Sequence, residues 1–191
     1  MPRRTTELVV GEYYHIYNRG VNREPIFFER DNYLFFLRRL RKHLSPDHVS
    51  LLVYCLMPNH YHLLVRLESN EFSARMQALG TSYTKAINKR LGRVGPLFQS
   101  RFQAKHVECE EYLVHLSRYI HVNPLVAKLV HRLVDWEFSS YPEYVGRRKG
   151  SLPQTEIVLS QFPSRQAYQQ FAESGAPHPP EAITHLLFEE D

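Results

Sequence analysis

Residues 49–67 constrain the fold of this chain more than any other stretch. Two strand-length apolar runs, 49–56 and 60–67, are separated only by the Met57-Pro58-Asn59 break. Proline and asparagine at so short an interruption are turn residues, so the segment predicts a hairpin of two buried strands. The second arm begins His60-Tyr61-His62. Side chains alternate along a strand, so both histidines point to one face with Cα atoms roughly 6.5–7 Å apart, while Tyr61 and Leu63 pack on the other.

The flanking pattern supplies the rest of a sheet and its helices. Residues 12–19 are aromatic and β-branched and run into Gly20, which predicts a strand. Tyr33, Phe36, Leu37, Leu40 and Leu44 then recur at helical spacing after Asp31, the expected N-cap, and Pro46 ends that helix. Arg38, Arg39, Arg41 and Lys42 fall on its outer face. A second amphipathic helix starts at Phe72, carries Met76, Leu79, Tyr83, Ile87 and Leu91 inward, and ends at Gly92 and Gly95-Pro96. Residues 101–108 read as a fourth strand. Glu110 and Glu111 suit the first turn of a third helix, which is expected to stop near Asn123 because Pro124 cannot continue it cheaply.

The order β-α-β-β-α-β-α predicts an α+β chain. Its first six elements form a ferredoxin-like split βαβ unit: a four-stranded antiparallel sheet with two helices on one face, leaving the other face for the third helix. Residues 1–145 are assigned to this domain and 146–191 to a linker and acidic C-terminal extension. Within the extension, 146–154 reads as a basic linker, 164–173 and 181–189 as short helices, and 175–180 as a disordered joint.

Charge sharpens the division. Residues 1–150 carry 23 basic and 14 acidic side chains, a net +9, whereas 151–191 carry one basic and six acidic, a net −5. A basic body suggests a polyanion-binding surface, although a merely soluble basic surface fits the same count. The acidic tail could cover a basic cleft or serve only solubility. No apolar run reaches the ~18–20 residues of a bilayer span, and the N-terminus lacks a signal-peptide stretch, so a cytoplasmic location is expected. Cys55 and Cys109 are too few for a disulfide framework and are expected to be reduced thiols.

Two histidines on one strand face can share a metal ion, but the same spacing fits two hydrogen-bonded strand histidines, and this chain has 11 His. A second cluster bears on the choice. In Arg118-Tyr119-Ile120-His121-Val122-Asn123-Pro124, Tyr119 and Asn123 lie four apart on the third helix and share a face. Two imidazoles and an amide oxygen suit Mg²⁺ or Mn²⁺, and an ion with an open position can polarise a phosphate. A free phenol ionises near ~10, so a tyrosine nucleophile needs proximity, a nearby cation and a base. Tyr119 as a packing aromatic and Asn123 as a helix stop remain the alternative. His115, one turn before Tyr119, could accept the phenolic proton or be an ordinary histidine. His15 is read as structural, and His121 receives no role.

Several ordered motifs carry a resemblance. Met57-Pro58-Asn59-His60-Tyr61-His62-Leu63-Leu64-Val65 resembles the histidine-hydrophobe-histidine (HUH) motif of single-strand DNA transposases with one catalytic tyrosine. Tyr14-His15-Ile16-Tyr17-Asn18-Arg19-Gly20, Gly95–Arg101 with Phe102, the Tyr119 cluster and Phe138-Ser139-Ser140-Tyr141 are similar to further family segments, together covering roughly residues 10–145. The chain is most similar to the REP-associated tyrosine transposases of this IS200-like superfamily. Tyr61 departs from the usual bulky aliphatic between the histidines.

The resemblance implies a metal-dependent single-strand endonuclease and strand transferase acting beside DNA hairpins. His60, His62 and Asn123 would hold Mg²⁺ or Mn²⁺, and Tyr119 would form a 5′-phosphotyrosine. The implied partner is a DNA hairpin with flanking single strand, and a monomer is favoured over a dimer. Arg101, Lys105 and Arg118 are the first candidates for phosphate contacts, with Lys85 and Lys89 after them. Tyr13, Tyr17 and Phe102 are candidates for base stacking. Two other readings stay open: a hairpin-binding protein without catalysis, and a phosphohydrolase using the histidines without a covalent intermediate.

Overall fold

The structure is a computed structural model and describes residues 6–174 and 181–188. Four strands, β1 (Tyr13–Arg19), β2 (Val49–Met57), β3 (His60–Leu67) and β4 (Gln103–Val107), form one antiparallel sheet in the order β2-β3-β1-β4. The expected hairpin is present: Met57 pairs with His60 across the Pro58-Asn59 turn. That turn is held from outside the hairpin. The Pro58 carbonyl accepts from the Ile26 and Phe27 amides, and the Asn59 carbonyl accepts from the Gly20 amide.

Helices α1 (Arg30–His43) and α2 (Phe72–Leu91) cover one face of the sheet, as the ferredoxin-like order requires. Their apolar stripes (Phe36 and Leu40 of α1; Phe72, Leu79 and Tyr83 of α2) meet Tyr14, Ile16, Tyr61, Leu63 and Val65 from the strands. Tyr61 is buried there with its ring 5.2 Å from that of Phe36, so the aromatic between the two histidines is a core residue of this layer. Helix α3 (Glu110–Val126) closes the opposite face over Leu52, Val53, Cys55, Met57 and Leu64. Strict alternation along β2 breaks at Leu52, where a register shift lets Leu51 and Tyr54 face α1 and α2 while Leu52 and Val53 both face α3.

Several boundaries differ from expectation for local reasons. The N-cap of α1 is Glu29, not Asp31, because the Asn32 side-chain oxygen accepts from the Phe28 and Glu29 amides and starts the helix early. Helix α2 ends at Gly92 in the left-handed conformation (φ 63°), as its sequence predicts. Helix α3 runs past Asn123 with Pro124 inside it. Proline forfeits one N–H there, but Ala127 still donates to the Asn123 carbonyl and Leu129 to that of Pro124, and the buried Val122, Asn123 and Pro124 hold the last turn in place.

Position 145 is not a structural break. After α4 (Tyr141–Tyr144), residues 146–154 are tied down: Arg148 donates to the carbonyls of Glu137 and Ser139, to the Tyr54 hydroxyl and to the Glu143 carboxylate, and the Gln154 amide donates to the Leu51 carbonyl. Helices α5 (Glu156–Leu159) and α6 (Arg165–Ser174), with a 3-10 turn at Glu181–Leu186, bury Val158, Tyr168, Ile183 and Leu186 in the same core as α3. The expected joint at 175–180 lies outside the described residues. Among the described residues no helix is long and apolar enough to cross a membrane.

Candidate active site

The sheet places His60 and His62 on the face covered by α3, and the central position of β3 brings other residues to them. Strand β1 pairs with β3 so that Tyr17 lies opposite His62 and Arg19 opposite His60. His15, two residues along, is then a diagonal neighbour of His62 on the same face. From the other layer, the Tyr119 ring of α3 stands edge-on to His62 (centroids 5.7 Å apart) and to His15 (6.2 Å). The paired-imidazole strand and the tyrosine helix therefore meet within one chain.

The hydrogen bonds fix where the protons sit. The Asn59 side-chain nitrogen donates to the Arg23 carbonyl (3.1 Å), which turns its oxygen toward His60. His60 Nδ1 donates to that oxygen at 2.7 Å, leaving Nε2 with a lone pair. His15 Nδ1 donates to the Leu186 carbonyl at 2.6 Å. Its Nε2 must then accept, and His62 Nδ1 donates to it at 2.9 Å, so His62 Nε2 is also unprotonated. Both Nε2 atoms are buried and make no hydrogen bond. Two histidines with Nδ1–H committed and Nε2 bare are imidazoles prepared as ligands.

Their neutrality has a plain cause. Burial pushes the His15 and His60 imidazoles down to about 4, with Lys105 and Arg19 respectively adding to the effect. Burial, then the neighbouring His60 and His15, hold His62 well below its ordinary value. On the far side of α3, His121 is pushed to about 3 by burial, bonded to the Tyr168 hydroxyl (2.7 Å) and the Ser140 hydroxyl (2.8 Å). The unfolded chain protonates these rings near 6.5, and the folded chain does so only around 4 or lower. Stability is thus fully present above about 6.5 and is lost as pH falls toward the depressed folded-state values. Urea unfolding without added metal should show a midpoint falling steadily from pH 6.5 to 4. A flat midpoint would mean that the rings are not buried neutral.

Phe188 lies against both histidine rings: it stacks on His60 (5.3 Å, 24°) and stands edge-on to His62 (5.7 Å) and Tyr17 (5.1 Å). The Arg19 guanidinium sits 4.9 Å over the Phe188 ring. A cleft of about 480 Å³ opens beside this point, lined by Arg19, Arg23, Pro58, His60, Leu129 and Phe188 among others. Arg19 and Arg23 were not singled out by sequence reasoning. The register that sets Arg19 opposite His60 is the signal that would have found Arg19.

The other predicted site residues fall in three places. Asn123 is buried one turn beyond Tyr119, and its side-chain nitrogen donates to the Tyr119 carbonyl at 2.7 Å, which leaves its amide oxygen as the ligand-type atom. Lys105 lies opposite His15 on β4 and shares its face, and Arg101 is exposed just before that strand. Lys85 and Lys89 are exposed on α2, across the sheet from the histidines. Two expectations are corrected. Arg118 is buried and donates to the Phe171 carbonyl of α6 (3.2 Å), so it is not part of the exposed basic surface. Phe102 is buried against Phe72 in the α2 layer and offers no stacking face. His115 packs against Phe171 (5.7 Å). Cys55 and Cys109 are both free thiols. Among the described residues, no group of three or more His, Cys, Asp and Glu side chains is placed to hold a metal ion.

Comparison with known proteins places this arrangement. A protein of Haemophilus influenzae named "Putative REP-associated tyrosine transposase" is 28% identical over 98 residues, covering 46% of this chain and 56% of that protein. This chain thus matches little more than half the length of that curated relative. The solved structure of a REP-associated tyrosine transposase bound to a REP hairpin superposes with a TM-score of 0.63 at 17% identity, covering 82% of this chain and 96% of the other, which establishes the shared fold. The family model "Transposase IS200 like" matches residues 9–123, from just before β1 through Tyr119 to Asn123. With that match spanning most of the chain and all four strands, the protein belongs to the IS200-like transposase family.

Proposed function

We propose that this transposase-family protein is a metal-dependent single-strand DNA endonuclease and strand transferase that acts beside REP-like hairpins through a 5′-phosphotyrosine. The observation that carries the reading is the pair of bare, buried Nε2 atoms on His60 and His62 beside the Tyr119 ring. Hairpin DNA as the partner draws support from the REP-associated relatives.

The donor set fits a divalent ion. His60 and His62 would hold it through Nε2, with the Asn123 amide oxygen as a third ligand and the remaining positions left to water and phosphate oxygens, as Mg²⁺ or Mn²⁺ requires. When bound, such an ion supplies charge that polarises the scissile phosphate and offsets developing negative charge. The Tyr119 oxygen attacks the phosphorus and loses its proton to a base or solvent. The P–O3′ bond breaks, the 3′ oxygen leaves and takes up a proton, and the 5′ phosphate stays on tyrosine. Attack by a 3′-hydroxyl reverses the sequence and rejoins strands, and no nucleotide cofactor is needed because the phosphodiester energy is kept in the adduct. Tyr119 meets the histidines of its own chain, which supports action as a monomer. Lys105 and Arg101, on the sheet edge beside the site, and Arg19 and Arg23, in the cleft, are the cations assigned to meet an entering strand.

The test is a labelled hairpin oligonucleotide with a single-stranded flank, incubated with protein and Mn²⁺ or Mg²⁺. A covalent protein–DNA band should form and disappear with a chelator. His60→Ala and His62→Ala should each reduce cleavage by about 10²-fold or more while retaining hairpin binding. Cleavage without any covalent band would instead favour a phosphohydrolase, and binding without cleavage a hairpin-binding protein.

A further inference from the structure

We infer that His15 is a positioning residue of the metal centre: it fixes the tautomer of His62 by handing the proton order of the Leu186 carbonyl across its own ring. The inference rests on the metal reading of His60 and His62 and extends it to a residue in direct contact with neither the proposed ion nor DNA. A carbonyl oxygen can only accept, so the 2.6 Å bond to Leu186 puts the single proton of neutral His15 on Nδ1. His15 Nε2 is then an acceptor, and His62 Nδ1, 2.9 Å away, donates to it. The His62 Nε2 lone pair follows as a consequence.

His60 is served differently, by the Asn59 amide of its own hairpin turn. The two histidines therefore draw their orientation from different parts of the chain. Asn59 is local, whereas the relay through His15 ends on a carbonyl 171 residues away, in the segment that also carries Phe188. His15 is fully buried, and its ring lies within 24° of the plane of His62 with centroids 5.1 Å apart, the arrangement of an in-plane hydrogen bond between the two rings. Burial obliges both ring nitrogens to find partners; what sets His15 apart is that one of its two partners is His62 Nδ1 and the other a carbonyl that can only accept.

Substitution separates the roles. Glutamine offers the same pair of groups, an oxygen to accept from His62 and an N–H to donate to Leu186, whereas leucine fills the space and offers neither. Two measurements are made on the full chain: the histidine tautomers of the metal-free protein by long-range ¹H–¹⁵N correlation, and the dissociation constant for Mn²⁺ alone. In the unmodified protein, His62 should show a protonated Nδ1 and a bare Nε2. His15→Leu should scramble that pattern and weaken Mn²⁺ binding by about 10-fold or more, and His15→Gln should stay within about threefold. A protonated His62 Nε2 in the unmodified protein overturns the inference without any variant, even where His15→Leu does not fold. Equal Mn²⁺ affinity in the unmodified protein and in His15→Leu overturns it while leaving the metal reading intact. An unmodified protein that binds no Mn²⁺ overturns the metal reading itself, and with it the purpose of the relay.

Discussion

Replacing Tyr119 by phenylalanine should abolish the covalent protein–DNA adduct and lower hairpin cleavage by at least about 10³-fold. The substitution removes one oxygen and keeps the ring. That ring is what packs edge-on to His62 and His15, so the α3 interface and the imidazole geometry should survive. Mn²⁺ affinity, which the proposal assigns to His60, His62 and Asn123, should change little, and hairpin binding should persist. Loss of the adduct with binding and metal affinity retained is the signature of a missing nucleophile. Cleavage by the phenylalanine variant at the normal rate would show that water attacks, and would assign the histidines to hydrolysis without tyrosine.

The second large effect is on stability. Arg148→Ala should lower the free energy of unfolding by about 2–4 kcal/mol, read from urea midpoints at neutral pH. The Glu143 side chain is only 7% exposed, and its carboxylate meets Arg148 at 2.6 Å. Removing the guanidinium leaves that charge buried and unpaired, along with the Glu137 and Ser139 carbonyls it also satisfies. Arginine is a third exposed, which argues for the lower half of the range. Lysine should rescue little, because one ammonium cannot reach four acceptors spread over a planar fork. Gly150→Ala tests the same junction from the other side, since a Cβ there would collide with the Glu143 carboxylate. If Arg148→Ala unfolds at the parent midpoint, residues 146–154 are the loose linker that their composition suggested.

What could be read from the sequence, and what could not, follows from the range of each interaction. The hairpin, both long amphipathic helices and the shared face of His60 and His62 depend on neighbours within about twenty residues, and periodicity exposes them. The meeting of Tyr119 with the histidines was legible only through family motifs. Nothing local announces that α3 crosses over β3. His15 was read as structural because its role depends on strand register, which appears only once β1 lies beside β3. Phe188 and Leu186 reach the site from the far end of the chain, and composition described their segment as an acidic appendage. Arg118 was misjudged because its position beside Tyr119 in sequence said nothing of α6, which packs over it. Pro124 was given too much authority, since a proline in the last turn of a helix sacrifices only one bond.

The irregularity at Leu52 has a bearing on how variation in this protein should be interpreted. Before it, odd-numbered positions of β2 look toward α1 and α2, and after it even-numbered positions do. A mutational survey of this strand must therefore be scored in two halves with opposite phase. A homologue without the irregularity keeps one phase along the whole strand, so a gap-free alignment would set its second half against residues of the opposite layer and misassign conservation there.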